Sequence, residues 1–324
     1  MKAAVNYEAG GPDVLRYEDV PDPEPGDGDV LVRVEAVSIE GGDTLGRSDT
    51  GGTDGRPHIV GYQAAGTVIA AGSGVVGLAE GDRVVTVGLD GSHAELRVVP
   101  EAFCWPVPDG LDIEQAACIP IPFGTADDCL FEFGRLQAGE TALIHAGASG
   151  VGIAAVQLAK RAGATVLATA SRGDKLERLR EFGLDHGINY VDTDFADEVR
   201  RLTDGRGADV IVDSVGGQVL QDSLRCLAYR GRVVSVGDAG RASGAPLDIS
   251  TMRGNNQSLT GVFLGAELFL GGPRAHDLIA GHIADVAAGR LRVVVDRTYP
   301  LADAAAAHAY IESRQSFGRV VLVP

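Results

Sequence analysis

The stretch at residues 141–175 constrains the fold of this chain more than any other part of the sequence. It consists of an apolar run, a glycine-rich turn, a helix-patterned segment and a second apolar run. This order predicts a strand, a turn, a helix and a strand, which is the βαβ arrangement that binds dinucleotides. The glycines of the turn are Gly147, Gly150 and Gly152.

The glycine spacing agrees with this interpretation. Gly150, Gly152 and Ala155 fit the pattern G-x-G-x-x-A, while Gly147 lies nearer the end of the predicted strand. Glycine allows the backbone to approach a pyrophosphate closely, and the first turn of the helix offers free N–H groups and the positive end of a dipole. A bare glycine pattern is a weak signal, but the flanking strand patterns strengthen it.

The residues after the second apolar run predict which dinucleotide is bound. An NAD site usually places Asp or Glu about 20 residues past the glycines, where it holds the ribose 2′-hydroxyl. This chain has Ser171, Arg172 and Lys175 there, a set that suits a 2′-phosphate and predicts NADP(H). The alternative is a solvated basic helix start, whose charge Asp174 partly offsets.

Length, charge and cysteine content limit the class of protein. A chain of 324 residues is long enough for two domains. The net charge of −17 argues against binding to nucleic acid or to an anionic membrane as a main role. There is no apolar stretch of membrane-spanning length and no signal-peptide pattern, and the four cysteines are scattered. We therefore expect a cytoplasmic protein with free thiols.

The remaining patterns predict an α/β protein with two domains. The first third alternates short strand patterns with turns, and residues 41–57 have the composition of a long polar loop. Residues 111–133 are helix-patterned, and strands then alternate with helices, which predicts a doubly wound parallel sheet. We expect strands at 291–295 and 319–323, the last of them returning to the first domain.

Several stretches resemble the zinc-independent quinone oxidoreductase branch of the medium-chain dehydrogenase/reductase superfamily. They include GTVIAAGSGVVGLAEGDRVV (66–85), HAGASGVGIAAVQLAKRAGATVLATA (145–170) and FGRVVLVP (317–324). The resemblance covers nearly the whole chain. It implies a GroES-like β domain at 1–121 and 265–324, a Rossmann domain at 122–264, and an active site in the cleft between them. It also implies NADPH as cofactor and a homodimer.

The resemblance also implies which residues bind the cofactor. The stretch from Ala148 to Gly152 should cover the pyrophosphate, and Thr125 should lie near the nicotinamide ribose. The valine and phenylalanine among the loop residues have core packing as an equally good alternative. The full implied set is Thr125, Ala148, Ser149, Gly150, Val151, Gly152, Ser171, Arg172, Lys175, Tyr190, Val215, Gly237 and Phe263.

The positions that hold zinc in other members of the superfamily carry unsuitable side chains here. Those positions fall at Glu40, at Tyr62 and Gln63, and near Ile121, and the cysteine-rich lobe of the structural zinc is missing. We therefore predict no metal. The histidines without ligand spacing are predicted to be surface or packing residues: His58, His93 and His145.

The loop at 38–43 departs from the family pattern. Many relatives carry an asparagine where this chain carries Glu40. An ionised glutamate only accepts hydrogen bonds, but burial would raise its pKa and allow it to donate a proton. The alternative is that Glu40 pairs with an arginine such as Arg47 or points to water.

Two further candidates for catalysis follow from unusual residues. Tyr62 could donate a hydrogen bond from its phenol, or could simply be a buried packing residue. Asp127 and Asp128 lie just after Thr125 and could contact a cationic substrate, or could cap and solvate their helix.

Without a zinc Lewis acid, the acceptor must already be electrophilic. A quinone or an α,β-unsaturated carbonyl compound is the predicted substrate, and positioning and exclusion of water supply most of the catalysis. Three alternatives remain open. They are a tailoring enoyl or keto reductase of a biosynthetic pathway, a non-catalytic NADPH-binding protein, and a zinc-type alcohol dehydrogenase, which the missing ligands nearly exclude.

Overall fold

The computed structural model describes residues 1–53, 55–241 and 247–324. The strands in chain order are β1 Lys2–Asn6, β2 Arg16–Asp19, β3 Asp29–Ser38, β4 His58–Ile59, β5 Gln63–Ala71, β6 Arg83–Val87, β7 Leu96–Pro100, β8 Cys104–Pro106, β9 Thr141–Ile144, β10 Thr165–Ala170, β11 His186–Asn189, β12 Ala208–Asp213, β13 Leu227–Ser235, β14 Ser258–Gly261, β15 Val295–Pro300 and β16 Arg319–Val323. The α-helices are α1 Gly41–Asp49, α2 Ile113–Ala117, α3 Pro120–Asp127, α4 Gly150–Arg161, α5 Gly173–Leu179, α6 Phe195–Leu202, α7 Gly217–Ser223, α8 Ser250–Gly254, α9 Leu264–Leu270, α10 Arg274–Ala287 and α11 Ala304–Glu312.

The chain divides into two compact units. The first comprises Met1–Ile121 and His276–Pro324, and the second comprises Pro122–Ala275. The predicted domain boundary at 264–265 stays a prediction. In the part of the chain that the structure describes, no helix is both long enough and apolar enough to cross a membrane.

The first unit is built on a seven-stranded sheet. Its strands follow the order β15-β16-β3-β5-β6-β8, and β7 also pairs with β3. The C-terminal strand β16 runs antiparallel to β3, with Val321 opposite Ser38, as expected for a chain end that returns to the first domain. This pairing brings residue 319 beside the loop that follows β3. A second sheet has the order β2-β1-β4.

The second unit is a parallel sheet of six strands in the order β11-β10-β9-β12-β13-β14. Its apolar strand residues pack with helical residues into one core, including Leu143, Leu167, Ile211 and Val233. The predicted doubly wound α/β fold is confirmed. Because all six strands are parallel, the segments that follow them meet at one carboxyl edge, where ligands bind in sheets of this kind.

Two predictions about local structure are wrong. Within the predicted loop 41–57, of which residue 54 lies outside the described residues, α1 covers Gly41–Asp49. The helix forms despite its glycines because Oδ2 of the Asp43 carboxyl group accepts the Glu40 N–H at 2.8 Å and stabilises the first turn. The strand expected at 291–295 begins only at Val295 and continues to Pro300, where it pairs with β16.

Candidate active site

The turn after β9 is so tight that a side chain at Gly152 does not fit. A Cβ atom there would lie 2.4 Å from the carbonyl oxygen of Ala146 and 2.6 Å from that of Gly147. Ala146 itself has a φ of 49°, a left-handed conformation that is uncommon for residues other than glycine. The turn therefore needs glycine at residue 152 to keep the helix close to the strand.

The N-terminus of α4 presents backbone donors at the same place. Ser149 caps the helix, and its Oγ accepts the Gly152 N–H at 3.0 Å. The first N–H groups of an α-helix have no carbonyl partner within the helix, and the helix dipole adds positive potential there. The predicted pyrophosphate residues Ala148, Ser149, Gly150, Val151 and Gly152 form this continuous stretch of turn and helix start. The diphosphate of a dinucleotide fits such a site.

The residues predicted to bind the 2′-phosphate follow two adjacent strands. Ser171 and Arg172 come after β10, Tyr190 comes after β11, and the pairing of these parallel strands places them side by side. The exposed Arg172 guanidinium donates to both carboxylate oxygens of Asp174, at 2.9 Å from Nε and 2.8 Å from the terminal nitrogen. Lys175 is buried, so Ser171 and Arg172 are the more accessible of the three side chains.

Three further predicted cofactor residues follow the strands in the other half of the sheet. Val215, Gly237 and Phe263 come after β12, β13 and β14. Asp213 shapes the first of these loops, because its carboxylate accepts the N–H groups of Val215 at 2.8 Å and Gly216 at 3.1 Å. The Phe263 side chain is 70% exposed, so the core-packing alternative is wrong for this residue, while Val215 is half-buried.

The residues around Thr125 lie where α3 gives way to a π-helical turn. Thr125 is buried in α3, and Asp127 is half-buried at the last position of this helix. Asp128 begins the π-helical turn and is fully buried, 2.7 Å from the Arg274 guanidinium. The alternative in which Asp128 merely solvates its helix is therefore wrong, because this buried carboxylate pairs with the partly exposed Arg274.

In the first unit, a buried network surrounds Glu40 and contains Ser38, Glu40, Asp43, Gln63 and Arg319, called here the Glu40 cluster. The Glu40 carboxylate accepts hydrogen bonds from Arg319, from the Gln63 amide and from Ser38 Oγ. Arg319 also donates to Ser38 Oγ, at 3.0 Å from Nε and 2.7 Å from a terminal nitrogen. Glu40 is only 3% exposed and Arg319 only 7%.

The partner of Glu40 differs from the arginine that the sequence suggested. Arg47 pairs instead with Glu312 at 2.5 Å and lies 3.5 Å from His308. Arg319 reaches Glu40 because β16 pairs with β3, and this antiparallel contact joins residues 279 positions apart. A charged residue at the start of the otherwise apolar strand RVVLV is a signal in the sequence for a buried partner of Arg319.

Burial raises the pKa of both carboxyl groups in the Glu40 cluster, to about 7 for Glu40 and about 8 for Asp43. Arg319, Ser38 and Gln63 oppose this shift at Glu40, because all three donate hydrogen bonds to its carboxylate. Asp43 has less support, since its Oδ1 has no hydrogen-bond partner among the described residues. We therefore assign the negative charge to Glu40 and the proton retained near neutral pH to Asp43.

Tyr62 lies beside the first turn of α1. Its hydroxyl oxygen would be 2.6 Å from a Cβ atom placed on Gly42, which marks a close approach that only glycine permits. Burial and the nearby carboxyl groups of Asp43 and Glu40 raise the pKa of the phenol well above its ordinary value, so the hydroxyl keeps its proton. The Arg97 guanidinium donates a hydrogen bond to the Tyr62 carbonyl oxygen at 3.1 Å.

Three buried histidines contact other polar side chains, whereas the Nδ1 of His58 has no hydrogen-bond partner among the described residues. His145 is buried between the hydroxyls of Thr169 and Ser223, at 3.1 and 2.9 Å, and burial lowers its pKa to about 3. His93 and His308 are buried with their Nε2 atoms 3.0 Å apart. His58 is half-buried.

The donor set at the zinc positions does not fit a divalent cation. The Glu40 carboxylate already pairs with the Arg319 guanidinium, whose positive charge would repel a metal cation. The Gln63 side chain donates to Glu40 and accepts the Ile121 N–H, so both of its polar ends are occupied. Within the ranges 1–53, 55–241 and 247–324, no group of three or more His, Cys, Asp or Glu side chains is arranged to hold a metal ion. We derive no step through zinc.

Comparison with known proteins agrees with this architecture. Residues 26–109 match the family described as alcohol dehydrogenase GroES-like domain, and residues 150–281 match the family described as zinc-binding dehydrogenase. The chain is 36% identical to a quinone oxidoreductase of Pseudomonas aeruginosa, over 100% of both chains. It is 35% identical to a 2-haloacrylate reductase of Burkholderia sp, over 100% of this chain and 99% of that protein. The crystal structure of Escherichia coli quinone oxidoreductase complexed with NADPH superimposes with a TM-score of 0.93 at 29% identity, covering 100% of both chains.

Proposed function

Because the chain belongs to the quinone oxidoreductase branch of the medium-chain dehydrogenase/reductase superfamily, we propose that it is an NADPH-dependent reductase of quinones or α,β-unsaturated carbonyl compounds. The observation that carries the proposal is the carboxyl edge of the six-stranded sheet. A tight glycine turn suited to a diphosphate lies there beside Ser171 and Arg172, which suit a 2′-phosphate.

Bound NADPH supplies a hydride. We propose that the N-terminus of α4 binds its diphosphate and that Ser171, Arg172 and Tyr190 bind its 2′-phosphate. We further propose that the protonated Tyr62 hydroxyl donates a hydrogen bond to the acceptor oxygen, since charge develops on that oxygen as the hydride arrives. The ion pair with Arg319 favours an ionised Glu40, so its role as a proton donor stays a prediction, as does a role for Asp127.

A homodimer and a cytoplasmic location are also part of the proposal. Among the described residues, the strand β14 forms one edge of the six-stranded sheet, and an edge strand can pair with a second copy of the chain. The helix α9 that follows β14 carries Leu270, whose side chain is 85% exposed. All four cysteines are buried and free, which agrees with a reducing compartment.

A panel of acceptors tests the activity directly. We expect the protein to oxidise NADPH in the presence of a quinone or a simple enone, and to leave NADPH unchanged when given a saturated ketone, because no Lewis acid polarises an isolated carbonyl. The measurement is the loss of NADPH absorbance with each acceptor. Tight NADPH binding without turnover of any acceptor would contradict the proposal and favour a tailoring reductase or a non-catalytic NADPH-binding protein.

Replacing Ser171 by aspartate is expected to reverse the cofactor preference. The new carboxylate would repel the 2′-phosphate but could accept a hydrogen bond from a ribose 2′-hydroxyl. We expect the Kd for NADPH to rise on the order of hundredfold, roughly the effect of 2–3 kcal/mol. NADH, which lacks the phosphate, is the matched ligand and should bind no more weakly than to the unaltered protein. Equal weakening of both cofactors would indicate general damage to the site.

A further inference from the structure

Two of the relatives that are similar over their full length are named for acceptors of different charge. Quinones are uncharged, whereas a 2-haloacrylate carries a carboxylate at neutral pH. An enzyme that accepts a carboxylate needs a cation that can attract it, and burying that anion without one is costly. The charge of the first unit near Tyr62 therefore bears on the substrate class.

We propose that Glu40 makes this enzyme selective for uncharged acceptors, because its carboxylate neutralises Arg319. The inference rests on the proposed function and names the substrate class of the same site. Glu40 is almost fully buried, so in this inference it acts through Arg319 and the local electric field.

The donors of Arg319 are engaged inside the Glu40 cluster. Nε donates to Ser38, and one terminal nitrogen donates to Ser38, to the Ile39 carbonyl and to Glu40. The guanidinium is held by a carboxylate, a hydroxyl and a backbone oxygen and is only 7% exposed. An anionic acceptor would have to compete with Glu40 for it.

The buried Arg97 donates only to neutral oxygens, and its Nε has no hydrogen-bond partner among the described residues. The Arg97 guanidinium donates to the carbonyls of Tyr62 and Asp90, at 3.1 and 3.0 Å, and to Thr86 Oγ1 at 3.0 Å. It therefore holds the loops around Tyr62. With Glu40 ionised, Arg319 charged and Asp43 protonated, the Glu40 cluster has no net charge and offers no attraction to a carboxylate.

The reaction that reports this selectivity is the reduction of a pair of acrylates. In 2-chloroacrylate or its methyl ester, the β-carbon takes a hydride and the α-carbon takes a proton from solvent. The C=C bond becomes a single bond, and NADPH is oxidised to NADP⁺. The acid and the ester have the same alkene and differ in charge. Their intrinsic reactivities also differ, but this difference is the same for every variant, so it cancels when the acid-to-ester ratio of kcat/KM is compared between variants.

The Glu40→Gln variant tests the inference. It keeps the shape of the side chain but leaves Arg319 without its carboxylate, so the acid-to-ester ratio of kcat/KM should rise on the order of tenfold or more. The double variant Glu40→Gln/Arg319→Met removes the cation too and should return the ratio to its original value. Glu312→Gln, the same change on the partner of Arg47, should leave the ratio unaltered. An unchanged ratio in Glu40→Gln, or an equal shift in Glu312→Gln, would overturn the inference.

A measurement on the unaltered protein keeps the inference testable even where a variant does not fold. The saturated products do not react, so they report binding alone as competitive inhibitors. We expect 2-chloropropionate to inhibit at least about tenfold more weakly than its methyl ester, because the cluster offers no uncompensated cation. Equal inhibition would overturn the selectivity while leaving the reductase activity intact. If neither the methyl ester nor any quinone is reduced although NADPH binds, the proposed function fails and the inference falls with it.

Discussion

Replacing Gly152 by alanine is expected to weaken NADPH binding strongly. The new Cβ atom would meet the carbonyl oxygens of Ala146 and Gly147 at 2.4 and 2.6 Å, and both are backbone atoms that cannot swing aside. The turn must open, which moves the N-terminus of α4 away from the diphosphate. Overpacking of this kind costs about 1–3 kcal/mol or more, so the Kd for NADPH should rise on the order of hundredfold.

Titration of NADPH fluorescence measures this Kd, and Gly281→Ala is the matched control. Gly281 is also a helical glycine, but nothing lies within 4 Å of a Cβ atom placed on it. That variant should bind NADPH like the unaltered protein and should be no less stable, since alanine favours the helix. If Gly152→Ala bound NADPH with unchanged affinity, the turn would not be the diphosphate site.

Removing Arg319 is expected to destabilise the first unit strongly. The Arg319→Met variant leaves the Glu40 carboxylate buried without its cation, and breaking a buried ion pair in this way costs about 3–5 kcal/mol. The double variant Glu40→Gln/Arg319→Met removes both charges and should recover most of this loss. Urea unfolding of the three proteins, followed by circular dichroism, gives the comparison.

The loss of stability in the Arg319→Met variant should depend on pH. Without the guanidinium, the folded-state pKa of Glu40 rises further above its ordinary value, because burial is then opposed only by Ser38 and Gln63. A carboxyl group with a raised folded-state pKa stabilises the fold below its unfolded pKa, and this contribution is lost as the pH rises through the folded value. The free energy of unfolding of the variant should therefore be close to that of the unaltered protein at pH 5 and should fall furthest below it at pH 8. Equal destabilisation at both values would contradict the ionised assignment of Glu40.

Much of the cofactor site could be predicted from the sequence because it depends on local patterns. A strand, a glycine turn and a helix are adjacent in the chain, so their periodicity and spacing predict the βαβ unit directly. The residues that follow β10, β11, β12, β13 and β14 meet at one edge because the strands are parallel, a consequence of the alternation of strands and helices. Asp213, which shapes the loop before Val215, was not foreseen, because an aspartate at a strand end is common.

The charge state around Glu40 was decided only by the tertiary structure. The sequence showed an unusual glutamate after a strand, but not that a polar, glycine-rich segment would begin α1, nor which arginine would reach the carboxylate. Arg319 does so from 279 positions away, because antiparallel pairing of β16 with β3 sets the register that places it there. Burial then raises the pKa of both carboxyl groups, and burial is a property of the packed fold. The sequence thus determined the kind of cofactor through local geometry, whereas the electrostatics around Glu40 depend on contacts between distant residues.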